Sequence, residues 1–174
     1  EGRREPPIEL YRQALERNPR SFRFHANLGN ALRDLGRRAE AINAYRASIA
    51  IQPNRAALHN LAVLLVEGDD LEEAITLLER ATTLEPGAFE SHLELGLAHF
   101  RRGTRDRSAS SLSRAAELVP PDQSVPVVAA LAAVEADDAI EIVLARLVAS
   151  NASGELRRRA LKELKGDPLA VDGM

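Results

Sequence analysis

The chain has 174 residues, 45% of them apolar, with four Phe, two Tyr, no Trp, no Cys and a formal net charge of −3. Without cysteine it has no disulfide, thiolate metal site or haem attachment, and a core so poor in aromatics must be built from Ala, Leu, Ile and Val, the composition of packed helices rather than of sheets. Residues 1–120 carry 17 basic and 17 acidic side chains and the remainder 6 against 9, so neither part has the basic excess that phosphate neutralisation requires, and nucleic acid is not an expected partner. No apolar run reaches the ~18 residues of a spanning helix and nothing at the N-terminus resembles a signal peptide, so no membrane insertion is expected, and the compartment is not legible.

In chain order, "PPIELYRQALERNP" at 6–19 reads as one helix ending at Pro19. A helix with Leu28, Ala31, Leu32 and Leu35 at helical spacing follows, then Gly36, then a second helix with Ala41, Ile42, Tyr45 and Ile49, ending before Pro53. The same order returns twice. Pro19, Pro53, Pro86 and Pro120 stand 33 or 34 residues apart, and Tyr11, Tyr45, Leu78 and Leu112 keep the same intervals, as do Ala14, Ser48, Ala81 and Ala115. Small residues recur at Gly29, Ala62 and Gly96 on the first helices and at Ala41, Ala74 and Ser108 on the second. These let two helices approach closely, with larger neighbours filling the space beside the contact. Each copy is a helical hairpin that cannot bury its apolar face alone, so copies must stack.

After Pro120 the repeat fades. Ser124 is expected to cap "VPVVAALAAVEA", with Pro126 tolerated in its first turn, and Asp137 to cap "DAIEIVLARLVAS"; both segments are apolar nearly all round and read as buried. Ser153 then caps "GELRRRALKELKG", whose stripe of Leu156, Ala160, Leu161 and Leu164 is backed by basic residues, a terminating cap ended by Gly166 and Pro168.

On the series Leu28-Gly29, Ala41, Tyr45, Ser48, Pro53, and its copies Leu61-Ala62, Ala74, Leu78, Ala81, Pro86 and Leu95-Gly96, Ser108, Leu112, Ala115, Pro120, the chain resembles the tetratricopeptide repeat family. The departures are His25, Leu58 and His92 where the family often has Trp, one residue fewer after Pro53, and Gly68 one place early, which puts the geometry of the second turn in question. The resemblance implies an all-α, right-handed α-solenoid of helix-turn-helix hairpins. Its expected parts are the second helix of a truncated unit at 1–19, units at 20–53, 54–86 and 87–120, a degenerate hairpin with a capping helix at 121–166, and a tail at 167–174. The 1–19 segment matches only a second helix, so the chain is expected to begin inside a longer array. Its apolar face (Ile8, Leu10, Tyr11, Ala14 and Leu15) then needs a cover, and self-association through this half-repeat is one candidate.

No catalytic constellation is apparent. His92 and His99 are seven residues apart, about 10 Å along a helix and too far for one ion, and His25 and His92 hold equivalent first-turn positions suited to packing. The serines of "RSASSLSR" lack a Gly-x-Ser-x-Gly turn, and no Gly-rich phosphate loop occurs. No enzyme activity, cofactor or metal is therefore expected.

The resemblance further implies that the first helices line a concave groove. The residues expected to meet a peptide or protein partner are Asn27, Asn30 and Arg33 in the first full unit, His59, Asn60, Val63 and Val66 in the second, and Leu93, Glu94, Leu97, Phe100 and Arg101 in the third. Asn27 and Asn60 share one repeat position, where side-chain amides could bond the backbone of an extended peptide. This arrangement, like the repeat "NLGNAL", is similar to the Asn ladder in the repeats of the O-linked N-acetylglucosaminyltransferases, although it breaks at Glu94. The family's clamp for a C-terminal carboxylate is not expected, since Glu90 and Glu94 stand where basic residues are needed. Val63, Val66, Leu93, Leu97 and Phe100 form an apolar strip that either a partner or the chain's own C-terminal helices should cover. Three functions fit: a peptide-binding interaction module, a structural part of a larger assembly with the groove filled internally, or the recruiting arm of an enzyme whose catalytic domain lies outside this chain.

Overall fold

The computed structural model describes residues 7–133, which contain helices and no strand. They fall into two compact units divided after Glu85. Unit 1 holds α1 (Pro7–Arg17), α2 (Phe22–Asp34), α3 (Arg38–Ile51), α4 (Arg55–Glu67) and α5 (Leu71–Leu84). Unit 2 holds α6 (Phe89–Arg101), α7 (Arg105–Leu118), one 3₁₀ turn at Pro121–Gln123 and α8 (Val125–Ala133). The helices expected after Asp137 and Ser153, with the tail beyond them, lie outside the described residues.

Three antiparallel hairpins, α2–α3, α4–α5 and α6–α7, carry the densest packing. In each, a small residue on the first helix faces a large one on the second. Tyr45, Leu78 and Leu112 are wholly buried, and so are Ala41, Ala74 and Ser108. A Cβ added at Gly29 would sit 2.6 Å from the Tyr45 ring, and one at Gly96 would sit 2.5 Å from the Leu112 side chain. Burying a Leu or a comparable side chain contributes about 1.5–3 kcal/mol, so this repeated contact is a principal source of each hairpin's stability.

All three hairpin turns share one hydrogen-bond pattern. The backbone N–H groups of Arg37, Asp70 and Thr104 donate to the carbonyls of Leu32, Leu65 and His99 at 2.8–2.9 Å, the six-to-one bond of a Schellman turn. The left-handed position is taken by Gly36 (φ 71°), Asp69 (φ 67°) and Gly103 (φ 81°). The displacement of Gly68 therefore leaves the second turn unchanged, because Asp tolerates this conformation better than most side chains. Gly68 itself ends α4 at φ −94°. It meets a steric demand instead: the Arg38 guanidinium lies against it and donates to the Leu64 carbonyl, so α3 caps the C-terminus of the next hairpin's first helix.

Within unit 1, α1 packs on α2, α3 on α4, and α2 also touches α4. Ile8 of α1 is buried at 3% exposure, Tyr11, Ala14 and Leu15 are partly buried, and Leu10 is 66% exposed. The expected bare face is thus partly covered by α2. Tyr11 remains less buried than its equivalents because no described first helix stands against it. In unit 2, α8 packs on both α6 and α7. Ser124, expected to cap α8 through its side chain, is buried, and its hydroxyl donates to the Pro121 carbonyl at 2.8 Å, closing the 3₁₀ turn.

The repeated contact predicts unequal costs for one substitution. Gly29→Ala forces the Tyr45 ring aside and should destabilise by about 1–2 kcal/mol despite the better helix propensity of Ala. Gly96→Ala meets the branch carbon of Leu112 at 2.5 Å and its backbone nitrogen at 3.3 Å, which cannot turn aside as a ring can, and should cost more, about 2–3 kcal/mol. Denaturant titrations of both variants check the difference.

Candidate functional site

In unit 1 one stripe of α2 carries Asn27, Asn30 and Arg33. Gly29, Ala31 and Leu32 are drawn into the core, which leaves the polar stripe at i, i+3 and i+6 outside it. Asn27 is exposed. Arg33 is partly exposed and held by its neighbour Asp34 at 3.1 Å. Asn30 is partly buried, and its Oδ1 accepts two hydrogen bonds, from the Tyr45 hydroxyl at 2.7 Å and from Asn60 Nδ2 at 2.9 Å. Burial holds the Tyr45 phenol above its ordinary pKa, so it stays a donor at neutral pH. The amides of Asn30 and Asn60 are thereby joined across α2 and α4, beside partly buried His59, Val63 and Val66.

The structure thus separates the two residues expected to form a ladder. Asn60 is tied laterally to Asn30, whereas Asn27 stands in solvent. Tyr45 was not among the expected site residues, since its series reads as packing alone. A signal was nonetheless present: at the corresponding pairs fifteen residues apart, Asn30 goes with Tyr45, Val63 with Leu78 and Leu97 with Leu112. The polar residue on the first helix occurs only where the second helix brings a hydroxyl.

Unit 2 treats its share of the expected strip differently. Leu93, expected to face a ligand, is 8% exposed and belongs to a core cluster with Phe89, Leu112, Val119, Val127, Val128 and Leu131. Leu97 packs against the same cluster. The reason is α8, whose apolar side chains close over α6 and α7. Glu94 and Phe100 stay partly buried and Arg101 exposed.

His25 and His92 repeat a local device. Each Nε2 donates to the carbonyl of the proline six residues before it, Pro19 at 3.0 Å and Pro86 at 3.1 Å, pinning the loop that enters the first helix. At α4 the equivalent residue is Leu58, fully buried, and the entering loop is instead held by Asn54, whose Oδ1 accepts from the Ala57 N–H at 2.9 Å. His99 is 2% exposed, and its Nδ1 is 2.9 Å from the Thr104 hydroxyl in the turn. Among the described residues no group of three or more His, Asp or Glu is placed to hold a metal ion, and no helix is long and apolar enough to cross a membrane.

The family model of the tetratricopeptide repeat matches residues 8–56 and 59–123, more than half of the chain. Among solved structures, MamA is similar with a TM-score of 0.70 at 18% identity, over 91% of this chain and 86% of that one. TTC0263, a thermophilic TPR protein of Thermus thermophilus, is similar with a TM-score of 0.63 at 23% identity, over 91% and 89%. YrrB, a TPR protein with an unusual peptide-binding site, has a TM-score of 0.66 at 19% identity, over 91% and 90%. At these identities the likeness shows the fold alone. No curated protein matches the chain by sequence.

Two measurements check this description. Burial pushes the His92 imidazole below the ordinary histidine pKa, the Pro86 hydrogen bond opposes that, and the Arg114 guanidinium acts with burial. The unfolded chain therefore binds a proton more readily, so this contribution to stability is complete above about pH 6.5 and is lost as pH falls through the lower folded value. Denaturation midpoints should fall between about pH 7 and pH 5, and His92→Leu, which copies Leu58, should flatten that decline. Separately, Leu93→Ala should destabilise unit 2 by about 2–4 kcal/mol, as a core Leu does and a surface Leu does not.

Proposed function

The chain belongs to the tetratricopeptide repeat family, and we propose that it is a protein-interaction module in which the first-helix face of unit 1 takes an extended peptide or a partner helix. The observation that carries this reading is the amide pair on α2 and α4. Asn30 Oδ1 accepts from Tyr45 and Asn60, and the Asn60 side chain also hydrogen-bonds the Tyr45 hydroxyl. Side-chain amides carry both the donor and the acceptor that an extended main chain alternates. Asn27 and Arg33 continue the polar stripe on α2, and His59, Val63 and Val66 add ring and apolar surface on α4. The peptide-binding site ascribed to YrrB, which shares the fold, supports the class of function and not the particular residues.

For unit 2 a different observation favours a structural role. Leu93 and Leu97 are engaged by α8, which leaves Glu94, Phe100 and Arg101 as its smaller partner-facing set. The expected apolar strip is therefore not offered as one continuous binding surface.

Panning a random-peptide phage library against the protein tests the binding reading. Selected peptides should bind Asn60→Ala about 2- to 10-fold more weakly than the parent, the loss of one hydrogen bond worth about 0.5–1.5 kcal/mol. Peptides that bind Asn60→Ala, Asn27→Ala and the parent equally well would remove the unit 1 face from the function.

A further inference from the structure

We propose that Ser48 is a positioning residue for the unit 1 face: its buried hydroxyl ties the N-terminal end of α2 to that of α4, so the two first helices meet a partner at a spacing set in advance. The proposal rests on the reading of that face as the peptide-binding surface.

Direct contact between α2 and α4 is slight beside what each makes with α3, so their spacing is set largely through α3. Ser48 lies wholly buried on that helix. Its hydroxyl donates to the Phe22 carbonyl in the first turn of α2 at 2.8 Å, and accepts from Nδ2 of Asn54, the N-cap of α4, at 3.2 Å. The backbone fixes the direction of this chain. Asn54 Oδ1 accepts from the Ala57 N–H at 2.9 Å, and Nδ2 also donates to the Gln52 carbonyl at 3.0 Å. A backbone N–H only donates and a backbone carbonyl only accepts, so the Asn54 amide has one orientation, and Ser48 is left to give its proton to Phe22. At the opposite end of α4 the Arg38 guanidinium, also from α3, donates to the Leu64 carbonyl and pairs with Glu67 at 3.6 Å. α4 is thereby held to α3 at both ends, and α2 shares the tie at Ser48.

Among the described hairpins the sequence builds this link once. The residues equivalent to Ser48 are Ala14, Ala81 and Ala115. Helices α2 and α6 begin three residues after Pro19 and Pro86, whereas α4 begins two after Pro53. The shorter connection sets Asn54 within reach of the end of α3. A face held in this way has less freedom to lose when a partner binds, which favours a ligand that matches the preset spacing over one that requires α2 and α4 to move.

The test exploits a chain without cysteine. Nitroxide labels are attached at Arg23→Cys and Ala56→Cys, exposed positions on α2 and α4, and their separation is read from dipolar broadening of the electron paramagnetic resonance spectrum. Ser48→Ala copies the native equivalents and removes the hydroxyl. Asn54→Asp keeps an oxygen for the Ala57 N–H and removes the donor to Ser48. Both variants should retain the parent's circular dichroism spectrum and widen the distribution of label separations, and the two substitutions together should widen it no further than either alone, since they break one link. Peptides selected against the parent should bind each variant about threefold or more weakly. An unchanged distribution in folded Ser48→Ala, or a further widening when the substitutions are combined, overturns the positioning role. Peptides that bind both variants as the parent but lose affinity for Asn60→Ala also overturn it, and leave the unit 1 face standing as the binding surface. Peptides indifferent to Ser48→Ala, Asn27→Ala and Asn60→Ala alike remove that face and the proposal with it. Should Ser48→Ala fail to fold, an unchanged distribution in Asn54→Asp is the result that rejects the proposal.

Discussion

Each hairpin depends on a close approach of two helices, made possible by a small residue on one and filled by a large residue on the other. Gly29 against Tyr45, Ala62 against Leu78 and Gly96 against Leu112 are three versions of it. A single helix of 13 or 14 residues is marginal in water by itself. Joining two buries one stripe of each and leaves a second stripe that only the next helix can cover. Stacking follows from that shortage, as α3 on α4 and α8 on α6 and α7 show within the two units.

The version in the first full hairpin has a polar consequence that the others lack. A tyrosine ring fills the space over a glycine well, but it carries a hydroxyl into the interior, where an unpaired donor costs about 1–3 kcal/mol. Asn30 meets that need, its side-chain oxygen accepting from the hydroxyl at 2.7 Å. Asn60 then joins from α4. A packing requirement on the second helix thus sets the chemistry presented by the first helices, which links core and surface more directly than the usual division between buried apolar and exposed polar residues.

Between the repeats, the same positions are met by different chemical means. The left-handed turn residue is glycine twice and aspartate once, with the six-to-one hydrogen bond kept in all three. The loop entering each first helix is pinned by histidine at α2 and α6 and by an asparagine cap at α4. What recurs is the backbone geometry, and the side chains that secure it vary. In unit 2 the stack continues into α8, whose valines and leucine turn Leu93 into a core residue.

The described hairpin helices, their order, the turns at Gly36 and Gly103 and the small-against-large register were legible in the sequence, because each depends on local spacing: apolar residues at helical period, glycine after the first helix, and proline after the second; the turn at Asp69 was not, because the glycine that signals it stands one place early. The family followed from the same spacing. The candidate site was legible only as a set of helix positions. Leu93 and Asn60 were both expected on the partner-facing side of a first helix, yet one became core and the other part of a polar network. That difference arises from what the neighbouring helix brings, apolar side chains from α8 in one case and an asparagine from α2 in the other, and a periodic pattern does not contain it. Tertiary packing alone decided which side chains lost water and which partners took its place, because burial and hydrogen bonding are settled between helices distant in sequence.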